Sequence, residues 1–266
     1  MVERQPQVEN PLLAKFKLPG RIFRLPSGGY LYNDGELSED CKNGEIHVRP
    51  MSALDELKMK NPDMLFSGQA VREVLATCVP EIKKPERLFG RDVDALMCFL
   101  RVVTYGPEFH VDVDHGCKDS RPHSYSINIE GIINSIRELD PTTIGQRYEV
   151  ILDNDQKVTL DPIRFSTVIE ILQANKQEGN PSLEEVQKNL VDGMVNMINN
   201  IDGINDKAMI AEWIRTVPAR YINVIAKSLE TSNEWGPVFE QEVICKDCGE
   251  KIVVELPMNP IHFFSE

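Results

Sequence analysis

The sequence predicts an α+β fold, and three observations lead to that class. First, Cys245 and Cys248 with the following Gly249 form a Cys-x-x-Cys-Gly turn between two β-type runs near the C-terminus. Second, the segment from Cys117 to Ser120 repeats this pattern with serine in the last position, again between two β-type runs. Third, amphipathic helical segments precede the first turn and lie between the two turns. We therefore expect antiparallel hairpins that form one base, with helical groups before and inserted between the two cysteine turns.

The two cysteine turns predict a metal site. Two thiolates that are two residues apart at a hairpin tip are typical of zinc knuckles, and a structural zinc takes four ligands. Cys245 and Cys248 supply two of these ligands, and Cys117 supplies a third. His115 or His123 can supply the fourth, and His115 is preferred because a His-x-Cys tip keeps both ligands at one end of the hairpin. The prediction is a split zinc-ribbon-like base with a structural zinc. The alternative is that the hairpins pack without metal and the C-terminal pair is reduced or disulfide-bonded.

Composition argues against several classes of protein. The chain has 266 residues, of which 41% are hydrophobic and 27% charged, as expected for a globular protein with one large or two small domains. A net charge of −13 argues against general nucleic-acid binding, which needs a basic surface. The six cysteines lack the regular spacing of a secreted disulfide scaffold, and no apolar run approaches the ~18 residues of a membrane span. We expect synthesis in a reducing cytoplasm, no nucleic-acid partner and no membrane span.

The first segment of the chain, residues 1–20, is predicted to be a flexible arm, because it is polar, contains prolines and shows no sustained period. Its few apolar side chains cannot bury enough area to offset the ordering entropy of about 1–2 kcal/mol per residue. Leu12, Leu13 and Phe16 are therefore predicted to be interface residues that order only on a partner.

An N-terminal α+β domain is predicted over residues 21–108. Pro26 and the two glycines that follow Ser27 predict a turn that pairs residues 22–25 with residues 30–32. Two amphipathic helices are predicted in this domain, over residues 67–79 and 92–104. Arg101 lies in the middle of the second helix, either on a solvated face or as a clamp on a carbonyl or carboxylate.

Three further segments complete the predicted organisation. Residues 109–180 contain the first cysteine hairpin and a further β-hairpin, and residues 181–235 form a helical insertion. Residues 236–266 form the second cysteine hairpin and a docking tail. Phe263 and Phe264 are predicted interface residues of that tail, whereas the alternative is that the tail packs on its own domain.

The helical insertion is predicted from one long apolar stripe. Ser182 and Glu185 form a capping box, and apolar residues at helical spacing follow from Leu183 to Ile201. Further helices are predicted to begin near Asp206 and Pro218. The whole segment is thus expected to be helical and to lie between the two halves of the metal site.

Enzyme motifs are not found in the sequence: it has no glycine-rich phosphate loop, no nucleophile elbow and no His-Glu-x-x-His. The strongest catalytic candidate is the run His110, Asp112 and Asp114 with the adjacent His115, because alternate strand residues share a face that can bind a metal ion. A metal site on this face would be typical of a metallohydrolase. We prefer the alternative that these residues form the solvent-exposed side of an amphipathic strand, and we predict that the chain is not an enzyme.

Taken together, motifs spread from about residue 20 to the end resemble the baseplate hub, or hub assembly, protein family of T-even-like contractile-tailed bacteriophages. The resemblance is carried by segments in a fixed order: Leu25-Pro-Ser-Gly-Gly-Tyr-Leu-Tyr32, Glu45-Ile-His-Val-Arg-Pro-Met51, Leu100-Arg-Val-Val-Thr-Tyr-Gly106, the hairpin that ends at Pro162 and the C-terminal Cys-x-x-Cys hairpin that leads to Ile261-His-Phe-Phe264. The chain departs from the family pattern at the first turn, where Ser120 stands in place of a second cysteine.

The resemblance implies a non-enzymatic structural or assembly protein of the tail baseplate, at or near the central hub. It implies other phage tail and baseplate proteins as partners, self-association in the baseplate, and a location in the virion after synthesis in the host cytoplasm. The main alternative is a zinc-ribbon adaptor that binds a transcription or replication partner. Because the chain is acidic, this partner would have to be a protein.

Overall fold

The computed structural model describes residues 19–117, 122–175, 183–257 and 260–264, so the predictions for Leu12, Leu13, Phe16 and Ser120 concern residues outside the described part. The helices are α1 Ala53–Met59, α2 Pro62–Phe66, α3 Gln69–Cys78, α4 Gly90–Tyr105, α5 Ile129–Asn134, α6 Ile144–Arg147, α7 Phe165–Asn175, α8 Leu183–Met197, α9 Lys207–Thr216, α10 Ala219–Ser232 and α11 Pro260–Phe263. The strands are β1 Arg21–Arg24, β2 Glu45–Val48, β3 Glu108–Val113, β4 His123–Asn128, β5 Glu149–Ile151, β6 Lys157–Leu160, β7 Ile198–Ile201, β8 Glu240–Ile244 and β9 Lys251–Glu255.

The sheets are small and every pairing between these strands is antiparallel. Strands β1–β2, β3–β4 and β8–β9 form two-stranded sheets, and β5–β6–β7 form a three-stranded sheet. Separate helices and small antiparallel sheets are the arrangement of an α+β protein, as the sequence predicts. Within the described part of the chain, no helix has both the length and the apolar character that a membrane span requires.

Strand β1 does not pair with the segment that the sequence predicted. Its partner is β2, in the register Arg21 opposite Val48, and residues 30–31 belong to a turn. The prediction was wrong because Gly29 and Leu31 both adopt positive φ, at 77° and 67°. A β-strand does not continue through residues with positive φ, which lies outside the β region. The chain therefore loops away from β1 after the glycines and returns as β2.

Two hydrophobic cores hold the chain together. The first core packs α3, α4 and the inner faces of β1 to β4 against the C-terminal residues; its members include Phe23, Leu25, Ile46, Val74, Leu75, Leu96, Phe99, Leu100, Phe109, Val111, Tyr125, Ile127, Val254, Leu256, Phe263 and Phe264. Helices α3 and α4 correspond to the two amphipathic helices predicted from the sequence. The two ends of the described chain thus share one interior.

The C-terminal aromatic pair lies inside the first core and not on a docking surface. Phe263 and Phe264 are both 0% exposed. The Phe263 ring packs against Phe109 at 5.2 Å between centroids and against Phe264 at 5.4 Å. The hydroxyl of Tyr105 donates to the Phe264 carbonyl at 3.1 Å. We correct the interface prediction accordingly: the tail packs on its own domain, because its rings fill the space between β3 and α4.

Arg101 is buried in the same region and acts as a clamp. Its guanidinium lies over the rings of Tyr105 and Phe109, at 4.6 and 5.4 Å from their centroids. It also donates from Nη2 to the Glu108 carbonyl at 3.3 Å. A solvated position is thus excluded, and the charged side chain joins the end of α4 to the start of β3.

The second core is built by the helical segment together with a sheet. Its members include Phe89, Tyr148, Val150, Val158, Leu160, Val191, Met194, Ile198, Ile201, Ile210, Ile214, Tyr221, Ile225, Leu229 and Trp235. The apolar stripe predicted as one helix ends at Met197, and Ile198–Ile201 is strand β7, paired with β6. The helical periodicity did not reveal this change, because the buried Ile198 and Ile201 also fit a helix face. The predicted insertion therefore completes the sheet of the preceding hairpin.

Asp92 joins the glycine turn to the start of α4. Its carboxylate accepts hydrogen bonds from the Ser27 backbone N–H at 3.0 Å and from the Tyr32 hydroxyl at 2.7 Å. The side chain is fully buried, and burial raises its pKa to about 6. The sequence placed this residue only at a helix start and gave no sign that it is buried.

We expect the stability of the protein to fall as pH rises through the titration of Asp92. The native pKa of about 6 lies above the unfolded value of ~3.9, so the native state holds the proton more tightly and the loss spans roughly pH 4 to 6. Urea unfolding at pH 4 and at pH 7 measures the free energy of unfolding of the wild type and of Asp92→Asn. Between these two pH values, the wild type should lose on the order of 2–3 kcal/mol of stability relative to Asp92→Asn. Parallel pH profiles would contradict this account.

Candidate metal centre

Two hairpins bring the predicted ligands to one place. Strand β3 leads directly to His115 and Cys117, and the β8–β9 turn carries Cys245 and Cys248. In that turn the Cys245 N–H donates to the Glu250 carbonyl at 2.8 Å, and the Gly249 N–H donates to the Cys245 carbonyl at 3.0 Å. Gly249 adopts φ 75°, as the sequence predicted for a tight cysteine turn.

The ligand atoms of the four residues form a compact cluster. One atom from each of His115, Cys117, Cys245 and Cys248 lies within 4.8 Å of all the others. The Cys117 and Cys245 sulfurs are 3.7 Å apart, and the Cys248 sulfur is 3.2 Å from His115 Nε2. Two sulfurs bound to one tetrahedral zinc at about 2.3 Å stand about 3.8 Å apart. The donor set of three thiols and one imidazole can therefore hold a metal ion. In the described part of the chain it is the one group of histidine, cysteine and acidic side chains with this geometry.

The fourth member of the cluster is His115 and not His123. His123 instead contacts the carboxylate of Asp247 through its Nε2. Because His123 begins β4 while His115 follows β3, only His115 lies on the same side of the hairpin tip as Cys117. The geometry thus agrees with the preferred alternative from the sequence.

The thiol groups of the cluster are electrostatically unequal. Backbone N–H groups of Cys248 and Asp247 stabilise the Cys245 thiolate and lower its pKa to about 6. Burial and the neighbouring thiols of Cys245 and Cys248 raise the pKa of Cys117 to about 11. Three thiolates cannot share this space without a compensating charge, and a divalent cation supplies that charge. The arrangement is thus suited to a cation and poorly suited to three free thiolates.

The two hairpins are also joined by contacts that need no metal. Lys246 donates from Nζ to the Ser124 carbonyl at 2.6 Å, and its backbone N–H donates to the Tyr125 hydroxyl at 3.3 Å. Its ammonium lies 5.1 Å from the centroid of the Tyr125 ring. Together with the pair of His123 and Asp247, these contacts fix the second cysteine turn against β4. Sequence reasoning missed them, although the repeated Lys-Asp within both turns was the available signal.

The candidate catalytic strand does not form a site of its own. His110, Asp112 and Asp114 are exposed, whereas Phe109 and Val111, which alternate with them along the strand, are buried. None of the three exposed residues belongs to the metal-sized cluster, which draws only His115 from this run. The preferred interpretation, a solvated face of an amphipathic strand, fits this arrangement, and the structure gives no support to a metallohydrolase built on these residues.

Comparison with known proteins gives one family. Residues 32–265 match the family described as T4 bacteriophage base plate protein. Comparisons with curated proteins and with solved structures gave no match. The match spans the second core, the first core apart from β1 and Leu25, both cysteine hairpins and the C-terminal aromatic pair. The chain therefore belongs to the T4 bacteriophage base plate protein family.

Proposed function

We propose that this chain is a structural or assembly component at or near the central hub of the phage tail baseplate, and that it acts through protein–protein contacts. The observation that carries the proposal is the family match over residues 32–265. Membership of the family implies a structural role in the baseplate, a location in the virion tail and other phage tail proteins as partners. It also suggests a non-enzymatic protein. The alternative of an adaptor for transcription or replication has no support in this match.

We further propose that the cluster holds a structural zinc ion and that the two hairpins form a split zinc ribbon. The support is the donor set of His115, Cys117, Cys245 and Cys248, in which no position is left for a substrate. Because Cys117 and Cys245 are 128 positions apart, the ion would join the middle of the chain to its C-terminal hairpin. Zinc in this role fixes the relative position of the first core and the C-terminal hairpin.

His115 and His123 provide a matched test of the ligand assignment. We expect His115→Ala to weaken metal affinity strongly, because one of the four donors is lost. The loss should exceed the roughly 10- to 100-fold that typically follows mutation of a residue that only hydrogen-bonds to a ligand. His123→Ala should change affinity far less, since its ring contacts Asp247. Competition with a chromogenic chelator measures both affinities, and equal losses in the two variants would contradict the assignment.

The role in the baseplate can be tested in phage-infected cells. A tagged copy of the chain should recover other tail proteins, and cryo-electron microscopy of the virion or of assembly intermediates should show its density at the hub. The cysteine hairpins provide a recognisable landmark for fitting the density. Recovery of no tail protein from infected cells would contradict the proposed function, whether or not the chain self-associates.

A further inference from the structure

A groove runs between the edges of two separate hairpins. Its walls are residues 109–113 of β3 on one side and Val254 and Glu255 of β9 on the other, and its volume is about 700 Å³. Arg101 of α4, Pro257 and His262 of α11 complete the lining. Consecutive strand residues point to opposite faces of a sheet, so a groove touched by five consecutive residues of β3 must lie along the edge of that strand. Neither β4 nor β8 contributes to its walls.

The groove-side edge of β3 carries backbone hydrogen-bonding groups that pair with no other described strand. Ile129 donates to the Pro107 carbonyl at 2.8 Å, so the hydrogen-bonded pairs of this hairpin fall at every second position from residue 107. His110 and Asp112 are therefore the residues whose N–H and C=O groups point away from β4. Among the described strands, only β4 pairs with β3. Arg101 donates to the neighbouring Glu108 carbonyl. From His110 onward, no described strand pairs with this edge.

The edge of β9 is open in the same way. Cys245 donates to Glu250 and Leu256 donates to Phe239, which fixes the hydrogen-bonded pairs of the β8–β9 hairpin. By the same alternation, the N–H and C=O groups of Val253 and Glu255 point away from β8. Among the described strands β9 pairs with β8 alone, so the groove lies between two open strand edges. Such edges are templates for an added strand.

The side chains around the groove define which strand fits it. Phe109, Val111 and Val254 form its buried apolar side. Asp112 and Glu255 line its exposed side together with His110 and His262, and the two carboxylates carry negative charge. A strand placed here meets apolar side chains on one face, and carboxylates interspersed with imidazoles on the other. The matching sequence alternates apolar and basic residues.

We propose that residues 13–18 of a second copy of this chain bind in the groove as an added β-strand. This segment, Leu-Ala-Lys-Phe-Lys-Leu, alternates apolar Ala14, Phe16 and Leu18 with basic Lys15 and Lys17. Its apolar residues would face the core side of the groove, and its lysines would face Asp112 and Glu255. The proposal deepens the proposed function, and it names a second copy as the partner because the family resemblance implies self-association in the baseplate.

The connection between the segment and β1 is short. Only Pro19 and Gly20 separate Leu18 from β1, and two residues span at most about 7 Å. Gly20 is also packed beside His47 and the Val48 carbonyl, since a Cβ there would meet them at 2.6 and 2.5 Å. The segment is therefore held close to the start of β1, where Arg21 contacts Glu130 at 2.7 Å, and a second copy can present its groove to the segment without this limit.

A pair of proline variants tests whether the groove edge binds a strand. His110 and Ser126 are directly opposite each other, and their backbone N–H groups point out of the two opposite edges of the β3–β4 hairpin. His110→Pro removes a donor on the groove side, and Ser126→Pro removes one on the far side, without loss of a hairpin hydrogen bond in either case. Sedimentation velocity of the full chain should show dimer dissociation constants raised about tenfold or more by His110→Pro and changed less than about twofold by Ser126→Pro. Equal effects, or a wild type that stays monomeric, would overturn the proposal.

Charge reversal and mixing identify the occupant. Lys15→Glu with Lys17→Glu should abolish the dimer, as should Asp112→Lys with Glu255→Lys, and the two reversed chains mixed together should form it again. A chain lacking residues 1–18 should form a heterodimer with the His110→Pro chain. In this heterodimer, residues 13–18 of the His110→Pro chain bind the intact groove of the truncated chain. Failure of the mixtures to associate, or amide protection of residues 13–18 in a monomer, would overturn a second copy as the source. If the dimer forms as described but no tail protein is recovered, the proposed function fails and this inference stands.

Discussion

Replacement of Cys245 by serine should lower the melting temperature of the protein by about 10 °C or more and release the zinc ion that we propose the cluster holds. The expected size follows from loop closure, because an ion joining residues 128 positions apart removes entropy from the unfolded chain on the order of 4–5 kcal/mol. In proteins of this size class, a loss of 1 kcal/mol in the free energy of unfolding lowers the melting temperature by about 2–4 °C. A metal chelator should lower the melting temperature of the wild type by a similar amount.

The fold should survive this loss in weakened form. Lys246 still binds the Ser124 carbonyl and Tyr125, and the first core still buries Val254 and Leu256. Cys41→Ala provides the control, since this buried thiol lies outside the metal cluster and its loss should leave the zinc content unchanged. An unchanged melting temperature in Cys245→Ser would show that packing alone holds the hairpins.

Phe263→Ala should destabilise the isolated protein by about 3–5 kcal/mol, the usual cost of removing a fully buried phenyl ring. The ring is 0% exposed and packs against Phe109 and Phe264 within the first core. Urea unfolding of the purified chain measures the loss without any partner present. The result separates a core residue from a docking residue, because truncation of a docking residue leaves the stability of the isolated chain nearly unchanged.

Leu54→Ala is the matched control for this variant. Leu54 is 72% exposed on α1, so its truncation should change the unfolding free energy by no more than about 0.5 kcal/mol. A similar small change in Phe263→Ala would contradict the buried position of the C-terminal tail. It would also restore the prediction that the aromatic pair serves as an interface.

The metal cluster was largely predictable from the sequence because its signal is local. A Cys-x-x-Cys-Gly turn between two β-type runs predicts a hairpin tip, and the repeated Cys-Lys-Asp pattern identifies the second half at Cys117. The preference for His115 over His123 also followed from position on the hairpin alone. These inferences depend on residues close together in sequence, where spacing determines geometry.

Features that depend on distant contacts were not predictable in this way. Strand β1 selects β2 because positive φ angles at Gly29 and Leu31 direct the chain away from a local hairpin. Ile198 and Ile201 fit a helix face as well as a strand face, and the pairing with β6 decides between them. The burial of Phe263 and Phe264 likewise depends on the first core, which periodicity within the tail cannot reveal.

The zinc content of the purified chain tests the central claim most directly, namely that two hairpins distant in sequence form one metal centre. Elemental analysis combined with native mass spectrometry should find one zinc per wild-type chain, and much less in Cys117→Ser as well as in Cys245→Ser. Loss in the Cys117 variant is the decisive part, because it shows that the incomplete first turn contributes a ligand. Zinc well below one equivalent in the wild type, with stability unchanged by chelator, would contradict the account.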